Sequence, residues 1–160
     1  CRLGAMLNYL PVVVDDRPAF ASSDRFEGAE NVIARPFQEA LEGLEIDSNT
    51  HAVLVTRGHR HDGLCLRYLL TTPASYIGMV GSRKRVRAVL ESLAAEGYTQ
   101  DQLDRVWAPI GIDIGAHTPT EIAVSIMAEL IALRRGRLGG HLSLKKQVFL
   151  PCDTSIDATS

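Results

Sequence analysis

The stretch APIGIDIGAHTPTEIAVSIMAELIALRRG, residues 108–136, decides the fold, because a glycine-punctuated loop, a helix entry and an almost wholly apolar helix follow one another without a gap. Thr118-Pro119-Thr120-Glu121 has the form of a capping box: Thr118 as N-cap, Pro119 at the first helical position, and Glu121 reaching back to the N-cap amide. A helix is therefore expected to begin at residue 119. From Ile122 to Leu133 only Ser125 and Glu129 interrupt the apolar run. With Glu121 they fall at i, i+4 and i+8, one narrow polar stripe, which predicts a helix buried on most sides. Upstream of it, Gly111 and Gly115 flank Asp113 in a loop that permits positive φ and close approach of a second backbone or a ligand.

Working outward, the same strand, glycine loop and helix recur. Tyr76–Val80 is a predicted strand, Gly81-Ser82 its turn and N-cap, and Val86, Val89, Leu90 and Leu93 the buried stripe of a helix that stops at Gly97. His51–Val55 is a second strand, closed by Thr56-Arg57-Gly58-His59-Arg60-His61-Asp62, with Asp62 as the expected N-cap of a helix through Leu70. Leu10-Pro11-Val12-Val13-Val14 ends at Asp15-Asp16-Arg17-Pro18, as a buried parallel strand ends in a loop. Asn31–Ala34 suits an edge strand and Pro36–Leu44 a helix. Thr99 is expected to cap a short helical turn through Arg105, and Val106-Trp107 to form a last strand feeding Pro109. The alternation makes the fold class α/β, a Rossmann-like doubly wound, mostly parallel sheet with helices on both faces. Only nine residues precede Leu10, and Gly4 alone cannot supply a glycine-rich turn, so the first β-loop-helix unit is expected to be lacking and the chain to be a fragment. Residues 1–140 would form the domain and 141–160 a flexible tail, with Val148-Phe149-Leu150 a stray strand.

Composition narrows the function. The 160 residues suit one domain, and 46% hydrophobic content is enough for a core. A net charge of −2 carries no nucleic-acid footprint. Cys1, Cys65 and Cys152 are far apart, form no CxxC pair, and so favour a reducing compartment without a zinc site. No apolar run approaches the roughly 20 residues of a membrane span and no signal peptide is recognisable, which makes the cytoplasm the expected location.

Ligands of open α/β sheets lie beyond the carboxyl ends of the strands. Four such ends are visible: Asp15-Asp16-Arg17, Arg57-Gly58-His59, Gly81-Ser82-Arg83 and Gly111 to Gly115, with Asp113 between. All should line one rim. Arg83, Lys84, Arg85 and Arg87 crowd the first turns of their helix, where the macrodipole disfavours cations by a few tenths of a kcal/mol each. A bound anion reverses that penalty, so the amides after Gly81, the Ser82 hydroxyl and the Arg83 and Lys84 cations make a candidate phosphate site, set against a solvated basic face. Asp15 or Asp16 could take ribose hydroxyls, which keeps NAD(P) or another nucleotide as an alternative cofactor, or could simply form the turn before Pro18. His59 and His61 could face one ligand, yet no carboxylate or cysteine completes a metal set. Cys65, among Leu64, Leu66 and Leu69, suits a small core residue better than a nucleophile. No general base paired with a carboxylate is legible.

The motifs VVDDRPAFA (13–21), TRGHRHD (56–62), YIGMVGSRKR (76–85) and APIGIDIGAHTPTEIAVSIMAE (108–129), in this order, resemble the C-terminal Rossmann-like domain of the XdhC/CoxI family. The resemblance covers roughly residues 10 to 140. It implies an accessory protein for molybdenum hydroxylases such as xanthine dehydrogenase, a chaperone more than a catalyst. Such a protein binds the molybdenum cofactor (molybdopterin), supports its sulfuration and delivers it to the apo-enzyme. A cysteine desulfurase and a second copy of the chain are further implied or possible partners. Gly58, His59, Gly81, Ser82, Arg83 and Asp113 match motif positions and are the candidate pocket residues. The sequence departs from the family at His117 and Thr120, where acids are usual, and at Trp107, which is often His.

Overall fold

The computed structural model describes residues 1–140. The expected tail, the stray strand at Val148-Phe149-Leu150 and Cys152 lie outside the described residues. In chain order the elements are α1 (Arg2–Met6), β1 (Val12–Val14), a 3-10 turn (Ser23–Arg25), β2 (Asn31–Ile33), α2 (Phe37–Glu42), β3 (His51–Leu54), α3 (His59–Leu69), β4 (Tyr76–Met79), α4 (Arg83–Ala95), α5 (Gln100–Leu103), β5 (Val106–Trp107) and α6 (Pro119–Arg134). Every strand pairing is parallel. The strands divide into a pair, β1-β2, and a triplet, β3-β4-β5. Val12 stands opposite Asn31, His51 opposite Tyr76, and Ile77 opposite Val106.

β4 is buried at all four residues because it is covered on both sides. Ile77 and Met79 join Leu66 and Leu69 of α3 and Val86, Val89 and Leu93 of α4 in the larger core. Tyr76, on the other face of the strand, joins Ile126 and Leu130 of α6. This period-2 division is what a central parallel strand requires. Leu66 and Leu93 are fully buried, and each contributes about 2 kcal/mol of transfer free energy. The capping box expected at Thr118 forms with Glu121, and Thr99 caps its turn as expected, with Gln102 completing a further box not anticipated from the sequence. The Thr118 box also takes the His117 amide onto Glu121 Oε2 (2.9 Å) beside that of Thr118 (2.8 Å).

Two expectations are corrected. Helix α3 begins at His59 with Gly58 as its N-cap at φ 107°, and Asp62 lies inside the first turn, fully buried. Gly58, not Asp62, makes the entry because the backbone reverses through a conformation only glycine adopts cheaply. Helix α6 is not buried on most sides: Ser125, Ile126 and Leu130 are buried, Val124 is exposed, and most of the remainder is half-buried. Ser125 and Glu129 of its polar stripe face inward, while Glu121 stays exposed at the cap. The Ser125 hydroxyl donates to the Ile112 carbonyl (2.6 Å), and Glu129 accepts from the Gly111 amide (3.1 Å) and from the Tyr76 hydroxyl.

Arg105 closes the C-terminal end of α3. Its guanidinium donates to the carbonyl of Leu70 (2.8 Å) at the helix end, which the helix leaves unpaired, and to those of Thr72 (2.8 Å) and Ala74 (3.2 Å) on the way to β4. A lysine ammonium cannot span that fan. Arg105→Lys is therefore expected to cost about 1–2 kcal/mol, read as a lower urea midpoint at unchanged m.

Candidate functional site

The tips of β3, β4 and β5 adjoin because these paired strands are parallel, and the tip of β1 lies within reach of the Arg57 charge at the β3 tip. At the first tip, Asp15 accepts three hydrogen bonds from Arg17: from its backbone amide (3.0 Å), Nε (2.9 Å) and Nη2 (2.8 Å). The guanidinium holds the Asp15 carboxyl below the usual range, with the charge of Arg57 at the β3 tip adding to it. Arg17 in turn lies over the Phe20 ring at 3.7 Å, with Arg25 at 4.9 Å from the same ring. Asp15 is thus engaged internally, while Asp16 is exposed.

The β3 and β4 tips are joined by a link that sequence reasoning missed. Asp62 Oδ1 accepts from the Thr56 hydroxyl, and Oδ2 accepts from Arg85 Nε (2.7 Å) and forms an ion pair with Nη2 at 2.5 Å. Arg85 Nη2 also reaches the Thr56 carbonyl at 3.0 Å and its hydroxyl at 3.2 Å. The run of cations at the start of α4 was the one sequence signal, and it does not say which of them is diverted. One of those cations exists to neutralise Asp62.

Arg83 and Lys84 are different. Both are exposed, and neither has a carboxylate partner among the described residues. Ser82 caps α4 by accepting from the Arg85 amide (3.2 Å). The amides of Arg83 and Lys84 occupy the first helical positions, where no intrahelical acceptor exists. The site at Gly81, Ser82, Arg83 and Lys84 therefore combines a helix positive pole with two unpaired cations.

At the fourth tip Gly111 is at φ 101° with its amide on Glu129, and Asp113 accepts from the Gly115 amide (3.3 Å) in an exposed turn. Glu129 thereby fixes both β4, through Tyr76, and the loop after β5. Burial and that carboxylate push the Tyr76 hydroxyl well above its usual range. Trp107 stacks on Tyr76 with ring centroids 6.1 Å apart and is part-exposed.

His61 packs edge-on against Phe37 (5.3 Å), toward α2. Among the described residues no group of three or more His, Cys, Asp or Glu could hold a metal ion. Burial pushes the Cys65 thiol up to about 11, helped by the charges of Asp62 and Asp16, so it is protonated at neutral pH and no nucleophile. Two depressions lie beside β2, one lined by Asn31–Ala34 with Arg35 and Glu39, the other by Ala21, Ser22 and Ser23 with Glu30, and none of Gly58, Gly81, Ser82, Arg83 or Asp113 lines either. No helix among the described residues is long and apolar enough to cross a membrane.

The sequence pattern of the XdhC Rossmann domain matches residues 1–130 of this chain. The chain belongs to the XdhC Rossmann domain family. This XdhC domain is 30% identical over 133 residues to a probable xanthine dehydrogenase subunit from Bacillus subtilis, covering 83% of the chain and 38% of that protein. It is 33% identical over 107 residues to the uncharacterised protein YqeB of Escherichia coli, covering 67% of the chain and 19% of that protein. A crystal structure of a xanthine dehydrogenase from Bacillus halodurans superposes with a TM-score of 0.75 at 29% identity, covering 85% of this chain and 38% of the other. The XdhC domain thus spans 38% or less of the length of these relatives. Its parallel strands with interleaved helices are those of a Rossmann domain.

Proposed function

We infer that this XdhC domain works in an accessory protein for maturation of xanthine dehydrogenase-type molybdenum hydroxylases, and that its rim receives the molybdenum cofactor as cargo. Membership of the family and the naming of its relatives support the accessory role. The observation that carries the rim is the sign of charge at α4: Arg83 and Lys84 sit at the positive end of the helix without carboxylate partners among the described residues, while Arg85 is neutralised by Asp62. A terminal phosphate, as on molybdopterin, fits that arrangement, since its oxygens can take the free amides and both side chains. In this reading Gly81 and, from the adjoining tips, Gly58, His59, Asp113 and Gly115 complete the lining. Support of sulfuration and delivery to the apo-enzyme, with a cysteine desulfurase and a hydroxylase as partners in the cytoplasm, complete the reading. The protein's own role is to hold and hand over.

Arg83→Glu combined with Lys84→Glu is expected to weaken binding of molybdopterin, and of inorganic pyrophosphate as a simpler probe, at least tenfold, about 1.4 kcal/mol. The melting temperature should hold or rise slightly, because acids suit a helix N-terminus. Retention on a sizing column reads the first and calorimetry the second. Unchanged retention would remove the rim from the proposal, and a nucleotide retained where molybdopterin is not would favour NAD(P).

A further inference from the structure

The tip of β1 gathers positive charge around one aromatic ring. In open Rossmann sheets an acid at such a strand end accepts the ribose hydroxyls of a nucleotide, whereas an arginine nearby accommodates a phosphate on that ribose. Asp15 stands at this position, directly after Val12–Val14. A diol needs both carboxylate oxygens, and here both are committed. Oδ1 accepts from the Arg17 amide (3.0 Å) and Nε (2.9 Å), and Oδ2 accepts from Nη2 (2.8 Å). The two side chains are only 18% and 31% exposed, and a charged fork of this kind outcompetes a neutral hydroxyl for the carboxylate.

Arg17 is not exhausted by that contact. A guanidinium carries five N–H groups. Among the described residues Asp15 is the one hydrogen-bond acceptor of the Arg17 side chain, and Asp16 comes no closer than 4.0 Å to Nε. The Arg17 guanidinium lies over the Phe20 ring at 3.7 Å, and that of Arg25 sits 4.9 Å from the same centroid. Arg25 is exposed and has no carboxylate partner among the described residues; Asp24 beside it pairs with neither arginine. From the β3 tip, the charge of Arg57 reaches Asp15. Like charges on one ring repel, and no described acid offsets the second of them. A dianionic phosphomonoester does, by taking N–H groups from both guanidinium groups while Phe20 holds them in place.

We propose that the β1 tip is a phosphomonoester site, formed by Arg17 and Arg25 on Phe20, which selects a nucleotide phosphorylated on its ribose over one with a free ribose diol. Asp15 is its positioning residue, holding Arg17 by Nε and Nη2 so that Nη1 is left to the ligand. β1 and β4 belong to different sheets, so this site is distinct from that of Arg83 and Lys84 and does not rest on the cargo read for it.

Titration calorimetry of the full chain with adenosine 2′,5′-bisphosphate and with 5′-AMP, which differ only in the ribose phosphate, tests it. The bisphosphate should bind at least tenfold more tightly. Arg17→Gln removes the fork and frees Asp15, so the order should invert: the bisphosphate weakens at least tenfold and 5′-AMP tightens at least threefold. An Arg17 with a structural role alone would weaken both alike, which overturns the proposal. Arg25→Gln should weaken the bisphosphate at least threefold and leave 5′-AMP unchanged. Because Arg25 is exposed, this variant reads the site even if Arg17→Gln does not fold. Arg83→Glu with Lys84→Glu should leave the ratio of the two affinities as it was, so that loss of molybdopterin in this variant and loss of the nucleotide preference are separate failures. A ratio lost there would place the ribose phosphate at α4 and overturn the proposal. So would equal affinity for the two nucleotides, no binding of the bisphosphate at millimolar concentration, an Arg25→Gln chain that keeps its full affinity, or displacement of the bisphosphate by an equal concentration of inorganic phosphate.

Discussion

Asp62→Ala should lower stability by about 3 kcal/mol and the melting temperature by roughly 6–12 °C. The carboxylate is fully buried and is the partner of both the Thr56 hydroxyl and Arg85, whose side chain is only 23% exposed. Removing it leaves a guanidinium part-desolvated and without a counter-charge, and the cost of that exceeds the net worth of the pair. Two comparisons separate this from cavity formation. Asp62→Asn keeps the volume but loses the charge, and should still cost about 1–2 kcal/mol. Asp62→Ala with Arg85→Ala should cost less than the two changes summed, because the orphaned charge is gone. Urea midpoints at constant m read all of them, and strict additivity would show that the ion pair couples nothing. The link also fixes α4 against β3, so these variants should change anion binding at Arg83 and Lys84 through the position of the helix.

Gly78→Ala should be the second large effect, about 2–3 kcal/mol, although alanine is intrinsically better than glycine in a strand by roughly 0.5–1 kcal/mol. A Cβ at residue 78 would point at Ile110 Cδ1 and lie 2.6 Å from the Tyr76 hydroxyl oxygen and 2.7 Å from its ring edge. Ile110 can shift. Tyr76 cannot, since Glu129 holds its hydroxyl and the ring is 2% exposed. Adding Ile110→Ala should therefore restore only part of the loss, whereas Tyr76→Ala, costly alone, should make residue 78 indifferent to alanine. A thermal shift under 2 °C for Gly78→Ala would mean that β4 and α6 slide apart freely.

How far the sequence led depended on whether the signal was local. Strand positions, parallel direction, the Thr118–Glu121 capping box, the Thr99 cap and the glycines after β3, β4 and β5 were legible because alternation, caps and turn residues lie within a few positions of one another. Tertiary pairing was not. Nothing near Asp62 announces that a cation 23 residues on will claim it, so an acid before a helix reads as a cap. The stripe Glu121, Ser125, Glu129 was correctly spaced, yet the inward facing of Ser125 and Glu129 followed from the Gly111 amide, the Ile112 carbonyl and the Tyr76 hydroxyl, three groups that needed partners and lie on two other segments. At the rim, the misplaced sign of Arg83 and Lys84 was visible in the sequence, whereas the diversion of Arg85 was not. The Arg17 fork on Asp15 was equally hidden, because neighbours two apart in a loop show no fixed geometry.

The inward polar residues of α6, Ser125 and Glu129, turn the ordinary guide to surface engineering upside down on this helix. Someone choosing solubilising substitutions by residue type would spare Val124 and change Ser125. The sounder choice is the reverse: Val124 stands 45% exposed and can carry a charge into water, while Ser125 is 6% exposed and any longer side chain there would be driven into the loop at Gly111 and Ile112.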